Sequence, residues 1–284
     1  MIKRIVFILP IFILGNLVCK PQYSSATELT TFFNQQWLKA VVSIEMINDK
    51  KEIKPIGTGF LIQTDNNHIL LVSTKHVVSD ENNQIKKALA YRINLQSGKS
   101  KIVSDEDLMK AGGGSWFLSK SADVAVRFMY QYPDSDVKTI PQNMFLKDEN
   151  VQPGTPSLIL GFPMGLRSDD YATPILRSSL VALKAPNYYM LDGFAFPGNS
   201  GGPVVYMPAH QIGGIKLSNY IDKQMLIGVI SFYIPYTDTA ISLQTKRPRI
   251  TFEENSGLCI VIPSNEIIKL INSEDVKEFA KSLK

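Results

Sequence analysis

A chain of 284 residues can hold one large or two medium domains. Its two cysteines exclude a disulfide-stapled scaffold, because Cys19 lies in the N-terminal apolar segment and only Cys259 remains beyond it. The formal net charge of +4 includes Lys3, Arg4 and Lys20, so the rest of the chain is nearly neutral and gives no support to nucleic-acid binding.

The N-terminus is predicted to be a signal peptide covering residues 1–26. Two basic residues precede the apolar run 5–18, which is too short and too interrupted by proline for a membrane span. Cleavage after Ala26 fits the small-residue pattern of 24–26. In the alternative, the signal is that of a lipoprotein and ends before Cys19, whose lipid would anchor the protein to a membrane. Either way, we expect an exported protein that is periplasmic, cell-envelope-bound or secreted.

Short apolar runs bounded by Gly, Pro, Asn and Asp predict an all-β fold. They recur at 41–47, 58–63, 68–73, 124–129, 157–161, 174–183 and 225–233. No repeat or low-complexity linker interrupts them. Cys259 is expected to be a small buried hydrophobe in a strand.

Two polar residues stand at the ends of such runs. His76 ends an apolar strand in HILLVSTKHVV (68–78), and Asp123 opens another in ADVAV (122–126). His68 is expected on an exposed hairpin and His210 in a loop, and neither has a partner pattern for a metal ion. We therefore expect no metal and no cofactor.

One serine is framed by glycines in GNSGGP (198–203). A serine hydroxyl needs a base to act as a nucleophile, and the oxyanion that its attack creates needs backbone N–H donors, which glycines allow a substrate to approach. The same letters fit the G-x-S-x-G elbow of α/β-hydrolases, where an acid and then a histidine follow the serine. After Ser200 the only histidine is His210, too near for that order, whereas His76, Asp123 and Ser200 follow the chymotrypsin order.

Five blocks in this order resemble the trypsin-like (chymotrypsin-fold) serine proteases of the bacterial, HtrA-related kind. They are GTGFLI (57–62), STKHVV (73–78), ADVAV (122–126), FPGNSGGP (196–203) and SGLCIVIPS (256–264). The resemblance implies two packed six-stranded antiparallel β-barrels with a C-terminal helix. The first barrel, 27–140, would carry His76 and Asp123, and the second, 141–284, would carry Ser200 and the helix. No PDZ domain of the HtrA kind is expected after that helix.

The resemblance also implies an exported serine endopeptidase that acts on proteins or peptides through an acyl-enzyme. Ser200 would be the nucleophile, His76 the base and Asp123 the group that orients His76, with the loop of Gly198, Asn199 and Ser200 as the oxyanion hole. One alternative is a catalytically idle trypsin-like domain that binds partners through its cleft, and another is an esterase-like hydrolase on the same triad. The oligomeric state stays open.

Cleavage specificity is expected to depend on one residue near the serine and on three residues of a later strand. Phe194 stands where trypsins have an acidic pocket base, which disfavours cleavage after Lys or Arg and favours a small or medium apolar side chain. The strand 228–233 resembles the one that pairs with substrate, so Ser231, Phe232 and Tyr233 are predicted to bind substrate.

Three further expectations concern regulation and the chain end. Trypsins made as zymogens have Asp just before the serine, so Asn199 predicts activity without N-terminal cleavage. The long segments 207–225 and 233–256 flank the substrate strand, and they either gate the cleft or are solvated excursions. The apolar positions of 264–283 predict a docked helix, broken near Asn272 and Ser273.

Overall fold

The computed structural model of this chain describes residues 33–168, 170–208 and 221–283. The predicted signal peptide (1–26), Cys19 and His210 lie outside these ranges, as does most of the predicted long segment 207–225. In the described part of the chain, no helix is long and apolar enough to span a membrane.

In the described part of the chain, residues 41–141 form an eight-stranded sheet. Its strands run in the order β5-β4-β1-β2-β3-β7-β6 with antiparallel neighbours, and β8 pairs in parallel with β2. They are β1 (Val41–Ile47), β2 (Ile53–Gln63), β3 (Ile69–Ser73), β4 (Leu89–Asn94), β5 (Ser100–Ser104), β6 (Phe117–Leu118), β7 (Ala125–Phe128) and β8 (Ile140–Pro141). Leu70, Leu71 and Val72 are all fully buried, which explains why β3 is apolar at consecutive positions. Two short helices, α1 (Lys75–Val78) and α2 (Asp105–Lys110), follow β3 and β5.

The described residues of 156–263 form a closed six-stranded barrel. Its order is β10-β11-β14-β13-β12-β9, and every neighbouring pair is antiparallel. The strands are β9 (Pro156–Gly161), β10 (Ile175–Lys184), β11 (Tyr189–Asp192), β12 (Pro203–Tyr206), β13 (Met225–Ile241) and β14 (Pro248–Pro263). Ile159, Val204 and Val261 meet in its core, and Cys259 lies buried among them as a small apolar side chain, as predicted.

The strands β13 and β14 continue beyond the barrel as a two-stranded arm. Their pairing runs outward from Ile234↔Leu258 to Ile241↔Pro248, and the arm side chains are exposed, with Leu243 at the tip 86% accessible. The segment 233–256, which was predicted to be longer than a tight hairpin needs, makes up most of this arm.

Among the described residues, two helices follow the barrel, α3 (Ser264–Ile271) and α4 (Glu274–Ser282). They are separated at Asn272 and Ser273, the predicted break. Ile267 and Val276 are buried against the rest of the protein, and the Phe279 ring packs on Phe128 at 5.1 Å. The helices thus dock on the first sheet as well as on the barrel.

The prediction of an all-β, antiparallel fold with a helical C-terminus is confirmed. The second barrel has the expected six strands, whereas the first sheet has eight, because it includes β6 and β8, two-residue strands too short to be predicted from apolar runs. The boundary between 27–140 and 141–284 stays a prediction; β8 ends at Pro141 and β9 begins at Pro156.

Candidate active site

Pairing of two strands brings His76 and Asp123 together. Ser73 at the end of β3 lies opposite Ala125 at the start of β7, so the segments just beyond these strand ends meet. The His76 ring approaches the carboxylate with Nδ1 2.7 Å from Asp123 Oδ2, and the His76 backbone N–H donates to Oδ1 at 3.1 Å. The carboxylate therefore fixes both the position of the histidine backbone and the orientation of its ring.

Asp123 accepts a third hydrogen bond from across the cleft, from the Ser231 hydroxyl at 2.5 Å. Burial raises the pKa of Asp123, but hydrogen bonds from His76 and Ser231 and the charge of His76 outweigh this and hold the pKa below its usual value. The group is therefore an anion at neutral pH. An anion at Oδ2 favours the proton on Nδ1 of His76, which leaves Nε2 free to accept a proton.

Ser200 lies half-buried in the tight turn before β12. Its carbonyl accepts from the Thr58 N–H at 2.8 Å. A Cβ at Gly57 would lie 2.6 Å from the Val77 side chain and 3.2 Å from the Ser200 carbonyl oxygen, so the turn of His76 and the turn of Ser200 pack against the same glycine. Among the described residues, no hydrogen bond joins the Ser200 hydroxyl to His76, and such bonds often tighten only when substrate binds.

The loop before Ser200 presents two unused backbone donors. In the described part of the chain, the N–H groups of Gly198 and Ser200 have no backbone acceptor, whereas the Asn199 N–H donates to Phe196 O at 2.9 Å. Gly198 has φ +100°, and a Cβ there would lie 2.3 Å from the carbonyl oxygen of Phe162, so only glycine fits. Of the three residues predicted for the oxyanion hole, Gly198 and Ser200 thus hold free N–H groups, and Asn199 shapes the loop.

The Asn199 side chain is fully buried and accepts from the Phe196 N–H at 3.0 Å. This bond closes the turn from within, with a neutral amide in the position just before the serine. The carboxylate of a zymogen-type trypsin would need a cationic partner here, and Asn199 needs none.

The predicted substrate-binding residues fall into different environments. Phe194 is half-exposed, stacks on Phe196 with 6.4 Å between ring centroids, and lies beside Gly257 of β14. Phe232 is 53% exposed and lines, with Asp123, a cleft of about 660 Å³ that continues past β11 and α3.

The other two predicted substrate-binding residues, Ser231 and Tyr233, make contacts within the protein. The Ser231 hydroxyl is buried and bonded to Asp123, so it holds the carboxylate. The Tyr233 hydroxyl donates to Glu253 at 2.8 Å, and this hydrogen bond raises the pKa of Tyr233. The bond links the strand 228–233, which was predicted to pair with substrate, to the base of the arm. Both side chains thus already have partners in the free protein.

One residue at this site was not singled out by sequence reasoning. Thr58 of β2 is fully buried, and its hydroxyl donates to the Gly198 carbonyl at 2.6 Å. The only signal for it in the sequence is a polar residue between two glycines, directly before the apolar run of β2. It links the first sheet directly to the loop that precedes Ser200.

A sheet that carries a paired histidine and aspartate, packed beside a closed barrel that carries a glycine-framed serine, defines the trypsin-like class of proteins. The family model of the trypsin-like peptidase domain matches residues 57–215, more than half of the chain. The chain therefore belongs to the trypsin-like peptidase family.

A solved structure gives independent support for the fold. The chain is similar to human heparin binding protein with a TM-score of 0.52 at 12% identity, over 84% of this chain and 92% of that one. At this identity the likeness concerns the fold alone. The comparison with curated proteins found no match.

Proposed function

We propose that this protein is an exported serine endopeptidase of the HtrA-related kind that hydrolyses peptide bonds through an acyl-enzyme. The observation that carries the proposal is the chain of contacts from Ser231 to Asp123 to His76, which orients the imidazole while a serine with unused N–H groups beside it lies in the neighbouring turn. Membership of the trypsin-like peptidase family supports peptides and proteins as substrates.

In the proposed reaction, Nε2 of His76 accepts the proton of Ser200 as the serine oxygen bonds to the scissile carbonyl carbon. The N–H groups of Gly198 and Ser200 donate to the resulting oxyanion. The protonated ring, stabilised by the anionic Asp123, then passes its proton to the leaving amine and the C–N bond breaks. Water, deprotonated by His76, attacks the acyl-enzyme, and the acid product leaves with Ser200 restored.

Two finer parts of the proposal rest on side-chain chemistry. The Phe194 ring supplies an apolar surface beside Gly257, which favours a small or medium apolar side chain at the cleavage site over Lys or Arg. Export is supported by the basic-then-apolar pattern of residues 1–26, with lipidation of Cys19 as the alternative ending of that signal.

The test compares wild type with Ser200→Ala and with Ser97→Ala, a matched exposed serine in a turn of the first sheet. We expect wild type and Ser97→Ala to be labelled by a fluorophosphonate probe and to cleave unfolded casein. Ser200→Ala should lose labelling and turnover by about 10⁶-fold. Absence of labelling in the wild type would overturn the proposal in favour of a binding module, and labelling without any peptide cleavage would favour an esterase.

A further inference from the structure

We propose that Thr58 is a positioning residue for the oxyanion hole: its side-chain hydroxyl holds the loop of Gly198 in the orientation that leaves the Gly198 N–H free. The inference rests on the proposed function, and it concerns a residue that touches neither substrate nor the reacting atoms. Thr58 belongs to the first sheet, whereas Gly198 belongs to the barrel, so the residue acts across the interface between them.

The Thr58 hydroxyl makes two hydrogen bonds at once. It donates to the Gly198 carbonyl at 2.6 Å and accepts from the Phe162 N–H at 3.1 Å. Its donor and an acceptor site are therefore both used, and the hydroxyl joins the loop before Ser200 to the turn that follows β9. The Thr58 backbone is fixed as well, because its N–H donates to Ser200 O at 2.8 Å and its carbonyl accepts from Ser73 Oγ at 2.7 Å.

The turn after β9 restrains the other side of Gly198. The Met164 N–H donates to the Pro197 carbonyl at 2.6 Å. Since C=O and N–H point in opposite directions across a trans peptide, this bond turns the Gly198 N–H away from Met164. Hydrogen bonds thus restrain the peptide groups on both sides of Gly198. The Met164 N–H binds the preceding peptide group, and the Thr58 hydroxyl binds the following one.

Such restraint matters because glycine is the residue with the most backbone freedom. Gly198 sits at φ +100°, and without its partners the adjoining peptides could rotate and withdraw the N–H from an oxyanion. The Met164 bond depends on Thr58 too, since the hydroxyl anchors Phe162 two residues earlier. One buried side chain therefore secures both peptides.

The turn after β9 is also tied to the first sheet farther along the chain. Arg167 lies 3.4 Å from the carboxylate of Glu45, which is fully buried and receives two further bonds from Arg92 at 2.8 and 2.9 Å. Asn94 exchanges two hydrogen bonds with the backbone of Ala172 at 2.9 and 3.0 Å. These anchors limit how far the turn can move, which leaves the Thr58 hydroxyl to set the local position of Gly198.

The test uses Thr58→Val, which keeps the shape and removes the hydroxyl, Thr58→Ser, which keeps the hydroxyl, and Thr64→Val as a matched control. Thr64 directly follows β2, is buried, and bonds the His68 backbone in a hairpin away from the site. On a chromogenic peptide, we expect Thr58→Val to lower kcat roughly 10- to 100-fold with KM little changed, the size expected when a buried hydrogen bond is lost and its partner is left unsatisfied. The Ki of a peptide aldehyde, whose adduct needs the oxyanion hole, should rise by the same factor. Thr58→Ser should restore most of the activity. Thr64→Val should keep the wild-type activity even though it lowers the Tm about as much as Thr58→Val does.

The outcomes separate this inference from the proposed function. An active wild type whose Thr58→Val variant keeps kcat within about threefold overturns the positioning role alone. The same holds if Thr64→Val loses as much activity as Thr58→Val, or if Thr58→Ser fails to restore it. A wild type that shows no labelling and no cleavage, like Ser200→Ala, overturns both.

Discussion

The hydroxyl of Ser231 donates to Oδ2 of Asp123, the same oxygen that lies 2.7 Å from Nδ1 of His76. A residue of the barrel thus completes the environment of a carboxylate that belongs to the first sheet. The first sheet and the barrel therefore meet at this oxygen. The orientation of His76 depends on how the sheet and the barrel pack against each other, as well as on the pairing of β3 with β7.

Replacement of Ser231 by Ala is expected to change the pH dependence of stability. The pKa of Asp123 lies below its usual value in the folded protein, so the unfolded chain binds its proton first and stability falls as the pH drops through the folded pKa. Ser231→Ala removes one of the bonds that lowers this pKa. The variant should therefore lose Tm most at neutral pH. The difference from wild type should narrow only once the pH falls below the usual pKa of Asp and Asp123 becomes protonated in both folded proteins.

The control for this experiment is Ser264→Ala. Ser264 is nearly as buried as Ser231 but donates to the Leu146 carbonyl, which does not titrate, so the Tm difference between Ser264→Ala and wild type should be independent of pH. A Ser231→Ala difference that stays constant from pH 2 to 7 would show that the hydroxyl does not stabilise the anion.

Activity is expected without a defined N-terminus. Asn199 closes its turn through the Phe196 N–H, so no newly freed amino group is needed to order the loop of Gly198. A fusion that places a folded carrier domain ahead of residue 27 should hydrolyse a peptide substrate at the rate of the released chain. The measurement is kcat/KM before and after the carrier is removed. A rise of more than about tenfold on release would mean that the N-terminus does activate the enzyme.

Replacement of Asn199 by Asp is expected to destabilise the protein at neutral pH. The side chain is fully buried, and among the described residues no cationic side chain hydrogen-bonds to it, so the new carboxylate would be an unpaired buried charge. We expect a loss of about 3–5 kcal/mol in urea unfolding at pH 7. Burial would raise the folded pKa of this Asp, so the loss should shrink as the pH falls. Asn199→Ser, which adds no charge, is the control, and an equal loss at pH 7 and pH 4.5 would contradict the explanation.

Local sequence patterns were sufficient to predict several residues of this site. The apolar runs predicted His76 and Asp123 at strand ends. In the structure β3 ends at Ser73 and His76 lies in the short helix α1 directly after it, whereas Asp123 lies just before β7. The register Ser73↔Ala125 brings these two segments together. The buried Cys259 and the break at Asn272 also followed from local pattern. Each of these depends on neighbours in the chain or on a single strand pair, which is the range over which periodicity and capping signals act.

The remaining roles depend on contacts between distant parts of the chain. The Asp123 partner of the Ser231 hydroxyl lies 108 positions earlier in the sequence, and Thr58 lies 140 positions from Gly198. Substrate binding by Ser231 stays a prediction. Whether a backbone N–H is free, as in Gly198, or used, as in Asn199, depends on how a turn closes. No local pattern in a single sequence contains this information.

The arm is expected to be separable from the barrel. Residues 238–252 are exposed apart from the half-buried Ser242. Thr237 lies directly opposite Glu253, so the two-residue turn Asn-Gly could join them in place of 238–252. This shortening keeps the bond between Tyr233 and Glu253 at the base of the arm. Because the removed side chains bury little apolar surface, we expect the Tm to stay within a few degrees and short-peptide hydrolysis to stay unchanged, as for a solvated excursion.

Leu243→Asn, a change at the exposed tip that keeps the arm's length, is the control. Faster peptide hydrolysis by the shortened protein, with Leu243→Asn unchanged, would show instead that the arm gates the cleft, and a large loss of Tm would show that it supports the barrel.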